Sequence, residues 1–216
     1  MNISAGVVPA LASALESRGY DKLTAVQAAV LNPDLMTSDL LVSAQTGSGK
    51  TVAFGMAMAP TLLGEAERFS KPDAPMALVV APTRELAMQV KREFDWLYAP
   101  AGATVLACVG GMDIRAERRS LERGAHIVVG TPGRLRDHIS RRALDPRALK
   151  VVVLDEADEM LDLGFREDLE FILDSIPEER RTLLFSATVP TPIARLAKNY
   201  QRDAIRISTH EENNNR

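Results

Sequence analysis

Cysteine is nearly missing from this chain: Cys108 is the single one in 216 residues. An internal disulfide framework is therefore excluded, and a lone thiol fits a reducing compartment. Cys108 lies in the apolar run Val105-Leu106-Ala107-Cys108-Val109, where it reads as a small buried hydrophobe, not a ligand or nucleophile. No apolar run approaches membrane-spanning length. The first residues lack a basic stretch followed by an apolar one, so no secretory leader is expected. These absences lead to the expectation of a cytoplasmic chain without membrane contact. Net charge is also small, −3, from 26 Lys and Arg against 29 Asp and Glu. That excludes a globally basic nucleic-acid binder; any such binding must use a local patch. The densest basic stretch, Arg115 to Arg123, interleaves Glu117 and Glu122 with arginines at helical spacing. It reads as a solvated helix face. There is no internal repeat, and the length suits one large domain or two small ones.

Against these absences stands one dense motif, Ala44-Gln45-Thr46-Gly47-Ser48-Gly49-Lys50-Thr51. It follows the apolar run Leu40-Leu41-Val42 and precedes a helix-like one that starts at Val52. Strand, glycine-rich turn, Lys-Thr and helix form the layout of a nucleoside-triphosphate phosphate cradle. A phosphate tail needs many donors in a small space. Backbone N–H groups of a tight loop supply them, and the positive end of the following helix adds to the field. Gly47 and Gly49 permit the backbone angles and the close approach. Lys50 would reach the β- and γ-phosphates, and the Thr51 hydroxyl would hold Mg²⁺. Ala44 occupies the position where the general pattern has glycine.

Short β-branched runs recur along the chain with helical segments between them. Strands are expected at 39–44, 76–81, 103–109, 125–130, 150–155, 181–186 and 204–207. Runs such as Val151-Val152-Val153-Leu154 are continuously apolar, as in strands buried on both faces. Alternation of strand and helix predicts an α/β fold with a mostly parallel sheet and helices on both faces. Thr83 before Arg84-Glu85-Leu86 looks like an N-cap. A helix is expected over Phe165 to Ile176, and a surface loop over 64–75. Residues 210–216 carry no apolar content and are expected to be a disordered tail or the start of a linker.

In open α/β sheets the ligand sits at the carboxyl ends of the strands. Every unusual motif falls there. After the successive strand candidates come the cradle, Pro82-Thr83-Arg84, Gly110-Gly111, Thr131-Pro132-Gly133-Arg134, Asp155-Glu156-Ala157-Asp158 and Ser186-Ala187-Thr188. Four apolar residues deliver Asp155 and Glu156 to a strand end, as a second Mg²⁺ contact requires. Asp155 is expected to hold the metal, directly or through water, and Glu156 to orient and deprotonate the attacking water.

Together, in this order, the motifs resemble those of the N-terminal RecA-like P-loop NTPase domain of DEAD-box RNA helicases, bacterial ones above all. The resemblance runs from about Leu11 to Ile207. Asp155-Glu156-Ala157-Asp158 is the family's name motif, and Ala44 is normal in its own phosphate loop. The resemblance implies further roles. Gly19-Tyr20 to Gln27 matches the adenine-reading segment, with Tyr20 stacking on the base and the Gln27 amide pairing with the adenine edge, hence ATP. Here Leu23 stands where the family usually has proline, Ala25 where proline is common, and no aromatic precedes Tyr20. Pro82, Thr83, Arg84, Gly111, Thr131, Pro132 and Arg134 fall where the family contacts RNA. Ser186 and Thr188 resemble the coupling motif, whose hydroxyls could hydrogen-bond Asp158 and link the nucleotide to the RNA face.

The family also uses a second RecA-like domain, whose arginines reach the γ-phosphate. Nothing after Ser186-Ala187-Thr188 supplies one, so residues 1–209 are expected to be the first lobe alone. Such an arginine is typically worth about 10³–10⁵ in rate. The lobe should therefore bind nucleotide and hydrolyse it poorly. Three readings stay open at this point: the ATP-binding lobe of an RNA-dependent ATPase that unwinds duplexes, a P-loop ATPase acting on DNA or protein, and a non-enzymatic binding module. The family's partners include ribosome-assembly and RNA-decay machinery.

Overall fold

The computed structural model describes residues 6–209. Seven strands form one sheet: β1 (Leu40–Ser43), β2 (Ala77–Val80), β3 (Val105–Cys108), β4 (Ile127–Gly130), β5 (Val151–Leu154), β6 (Arg181–Ser186) and β7 (Ile205–Ser208). Their order is β3-β4-β2-β5-β6-β1-β7. Every pair is parallel, so all carboxyl ends lie on one edge. The seven expected strands are all present. The loop expected at 64–75 is fastened to the sheet's flank by an isolated antiparallel bridge between Asp73 and Ala125.

Parallel strands need crossovers, and helices supply them. They are α1 (Pro9–Ser17), α2 (Ala25–Val30), α3 (Lys50–Leu63), α4 (Arg84–Leu97), α5 (Ile114–Arg123), α6 (Pro132–Ser140), α7 (Ala157–Asp162), α8 (Arg166–Ser175) and α9 (Thr191–Tyr200). Strand side chains alternate between two cores. Leu40, Val42, Val79, Val153 and Phe185 face α1 to α4. Leu41, Leu78, Val152, Leu154 and Leu184 face the later helices, through Leu135, Met160, Leu169 and Ile193. Both faces are covered, which explains the unbroken apolar runs. Each fully buried Leu or Val is worth about 1.5–3 kcal/mol.

The helix that leaves the glycine-rich loop is held especially well. Phe54 of α3 makes edge-to-face contacts with Phe94 and Phe185, at 5.7 and 5.2 Å between ring centres. Gly55 lets α4 approach closely; a Cβ there would meet Leu97 at 2.7 Å. The buried Tyr98 hydroxyl donates to the Gly55 carbonyl. At the other end of the sheet Arg181 is buried and donates to the carbonyls of Leu35, Ser38 and Ala57. Its guanidinium is pushed down to about 10 by burial, which Asp39 only partly opposes. α3 is thereby tied to the sheet along its length.

Local signals also act as expected. The Thr83 hydroxyl accepts from Leu86 N–H at 3.2 Å and caps α4. The helix expected over Phe165 to Ile176 is α8, with Phe165 and Ile176 as its caps. The 115–123 stretch is α5, with Arg115, Arg119 and Arg123 in solvent. One residue departs from the solvated face that its charge pattern predicts: Glu117 is buried. It shares the inward side of α5 with Ile114 and Leu121, at i, i+3 and i+7. The tail at 210–216 lies outside the described residues.

Candidate active site

The glycine-rich loop rises from β1. Ala44 is buried, while Gln45, Thr46 and Gly47 are exposed. Gly47 and Gly49 have φ of 82° and 80°, the left-handed region where glycine carries no steric penalty. Gly49 is the N-cap of α3, and no side chain caps that helix. Its first N–H groups therefore stay available to an anion. The Ser48 hydroxyl is buried without a hydrogen-bond partner. Gln27 supports the loop from behind. Its Nε2 donates to the Gly49 carbonyl at 3.1 Å, and its Oε1 accepts from Thr24 N–H at 3.0 Å in the capping box of α2. A Cβ on Gly49 would run into the Gln27 amide.

Lys50 opens α3 and leans across β6 to the end of β5. Its Nζ lies 3.0 Å from Asp155 Oδ1 and 3.1 Å from Glu156 Oε1. Burial would lower the ammonium's pKa, but the two carboxylates outweigh it and raise it. Asp155 is fully buried; the Lys50 ammonium and the Glu156 backbone N–H are the groups that favour its ionised form. Burial nevertheless pushes Asp155 above the ordinary carboxylate range, against the pull of Lys50. Glu156 sits in the left-handed region at φ 50° and starts α7. Burial would raise its pKa, but hydrogen bonds from Glu159 and Lys50 hold it below the ordinary value. Glu159, one turn on, is pushed up to about 7, chiefly by its interaction with the Glu156 carboxylate.

Next to this pair, Asp158 Oδ2 accepts from the Thr188 N–H and hydroxyl at 3.1 and 2.9 Å. Asp158 N–H donates to Ser186 Oγ at 3.3 Å. β6 and α7 are thus stitched beside the acids. On the far half of the rim Arg84 is exposed and lies against Gly111 and Met112; its Nη2 is 3.3 Å from the Met112 sulfur. Pro82 and Pro132 are buried, and Thr83 and Thr131 half-buried, at the starts of α4 and α6. Arg134 Nη1 donates to the Met112 carbonyl at 3.1 Å and to Glu117 Oε1 at 2.9 Å.

The family model for DEAD/DEAH box helicases matches residues 24–196. The chain belongs to that family. It is 45% identical over 192 residues to the DEAD-box ATP-dependent RNA helicase CshA of Bacillus licheniformis, covering 88% of this chain and 38% of that protein. It is 44% identical over 202 residues to DEAD-box ATP-dependent RNA helicase 9 of Oryza sativa subsp. japonica, covering 94% of this chain and 32% of that one. The chain thus spans about a third to two-fifths of the curated relatives it matches. A solved DEAD box protein from the hyperthermophile Methanococcus jannaschii superposes with a TM-score of 0.87 at 35% identity, over 97% of this chain and 56% of that one. The fold is that of the family's N-terminal RecA-like domain.

Within this DEAD-box domain, the residues chosen from sequence fall into three groups. Lys50, Asp155 and Glu156 meet at the loop, with Thr51 half-buried on the first turn of α3. Asp158, Ser186 and Thr188 meet beside them. Arg84, Gly111 and Arg134 gather around Met112. Three of these residues already have protein partners. Gln27 is 1% exposed and bonded to the loop. The Tyr20 ring packs on Trp96 at 5.6 Å, with Arg18 over the same indole. Arg134 is ion-paired to Glu117 and largely covered. Sequence reasoning missed Glu117, His138 and Glu159. Ile114, Glu117 and Leu121 share one helix face, as do Leu135, His138 and Ile139, but the surrounding charges mask the first of these faces.

Proposed function

We propose that this DEAD-box lobe binds ATP with Mg²⁺ and, joined to a second RecA-like lobe, hydrolyses it in an RNA-dependent cycle that opens or remodels short RNA duplexes. One observation carries the reading. Lys50 is held at the phosphate loop by two carboxylates, one of which, Asp155, is fully buried. A buried carboxylate suits a hard cation, and the donor set of Asp155 and Thr51 is all oxygen, as Mg²⁺ requires. When bound, Mg²⁺ would neutralise phosphate charge. The loop N–H groups and the start of α3 orient the tail, Lys50 adds a mobile cation, and Glu156 is placed to take a proton from water. Gln27, bonded to the Gly49 carbonyl, and Tyr20 belong to the segment that the resemblance assigns to adenine, and this supports adenine recognition. Thr188 and Ser186 tie Asp158 to β6 and offer a link between the nucleotide and the RNA face.

The test is binding and turnover of ATP with Mg²⁺, with and without single-stranded RNA. Lys50→Ala should weaken nucleotide binding about 10- to 100-fold, the worth of one or two charge-assisted hydrogen bonds. Glu156→Gln should keep binding and lose turnover. Normal hydrolysis by Glu156→Gln would overturn the base assignment. Strong RNA-stimulated turnover by this chain alone would remove the need for a second lobe.

A further inference from the structure

Glu117 is a carboxylate on α5 that the nucleotide chemistry does not use. Its side chain is 8% exposed and accepts from three groups. Oε2 takes the Val109 N–H, just past β3, at 2.9 Å. Oε1 takes Arg134 Nη1 at 2.9 Å and faces His138 Nε2 at 2.8 Å, both on α6. Val109 leads directly into Gly110-Gly111, and Arg134 follows Thr131-Pro132-Gly133. One carboxylate thus spans the turn after β3 and helix α6, which line the far half of the rim. The same guanidinium nitrogen also holds the Met112 carbonyl at 3.1 Å, which fixes the Gly110–Met112 turn from its other end.

Cys108 lies in the same cluster, within 4.8 Å of the Glu117 and His138 ligand atoms. A metal centre is the obvious alternative, and the chemistry argues against it. Both carboxylate oxygens are already accepting hydrogen bonds, and a guanidinium sits on one of them. Burial pushes the Cys108 thiol up to about 12, so it stays protonated. Burial would also raise Glu117, but the bonds from His138, Val109 and Arg134 outweigh it and hold the carboxyl below its ordinary value.

We propose that Glu117 is a positioning residue for nucleic-acid binding: it clamps the Gly110–Met112 turn and the first turns of α6 at one spacing and orients the Arg134 guanidinium between them. The proposal rests on the reading of this rim as the RNA face. It has a consequence opposite in sign to plain electrostatics. Removing an anion from a phosphate-binding face should tighten RNA binding. Removing the clamp should weaken it.

The experiment is a titration of this chain with a single-stranded RNA oligonucleotide, beside a nucleotide titration, for wild type, Glu117→Gln, Arg134→Ala and the double variant. Glu117→Gln is near-isosteric and loses the charge. The expected result is RNA affinity lower by about tenfold, unchanged nucleotide affinity, and a double variant no weaker than the weaker single. Tighter RNA binding by Glu117→Gln, or fully additive losses, would overturn the proposal. Amide resonances of Gly111 and Gly133 are followed in parallel. In Arg134→Ala they should both move, and in the Glu117→Gln background Arg134→Ala should move them little further. If the wild-type chain binds no RNA, the reading of the rim falls, and the clamp stands or falls on those amides. Amides of Gly111 that ignore Arg134→Ala would overturn it.

Discussion

Asp155, directly after β5, and Glu117 on α5 are both carboxylates buried at the same edge of the sheet, and they are built in opposite ways. Glu117 is saturated: Val109 N–H, Arg134 and His138 all address it, and its pKa is held down despite burial. Asp155 is starved by comparison: the Lys50 ammonium and the neighbouring Glu156 N–H address it, and burial still raises its pKa. A buried charge with too few partners costs free energy, and a fold retains such a cost where a ligand relieves it. A buried charge with every lone pair taken has no capacity left for a ligand and serves geometry. The starved half of the rim is the half where a metal-bound phosphate tail belongs; the saturated half is where a turn and a helix must keep a fixed distance.

The largest expected effect breaks the saturated half. Glu117→Ala leaves the Arg134 guanidinium, His138 Nε2 and Val109 N–H without their acceptor in a nearly water-free place. Loss of one partner from a buried charge pair costs about 3–5 kcal/mol. Urea unfolding of the chain without nucleotide should show that loss. A change under about 1 kcal/mol would mean that water replaces the carboxylate freely, and that the cluster is not a clamp.

The corresponding change in the starved half should have the other sign. Asp155→Asn removes a buried charge whose desolvation outweighs the pull of its partners, while Lys50 keeps Glu156 as its partner. The chain without nucleotide should be as stable as before or more stable by about 1 kcal/mol. Nucleotide binding should at the same time lose its response to Mg²⁺. A destabilisation as large as that of Glu117→Ala would show that Asp155 is a structural anion, and the contrast between the two halves would collapse.

This contrast was only half legible in the sequence. Asp155 announces itself, because four buried residues run up to it and the motif that follows is unlike a solvated turn. The strands were legible for the same reason: a parallel strand covered on both faces has to be continuously apolar. Glu117 hides in an Arg–Glu pattern that reads as a surface helix. Charge spacing says which residues share a helix face, but the partners that turn one of them inward lie 17 and 21 residues away, across a strand. The sheet order and the Gln27–Gly49 bond were hidden in the same way, since both depend on which segments meet and not on any local period.

The smallest effect sharpens the comparison through pH. Glu117 has a folded pKa below its unfolded value, so the unfolded chain binds the proton more readily in the window between them. Its ionised form therefore adds stability at neutral pH, and that contribution is lost as pH falls from the ordinary carboxylate range through the lowered folded value. Glu117→Gln has no proton to gain there. Its unfolding midpoint in urea should lie below that of the wild type at neutral pH, and the gap should close as the medium is acidified through about pH 4 and below. A gap that stays constant on acidification would mean that the clamp works through shape and neutral hydrogen bonds alone. The two halves of the rim would then differ in packing, and the charge on Glu117 would not be what holds the turn and the helix together.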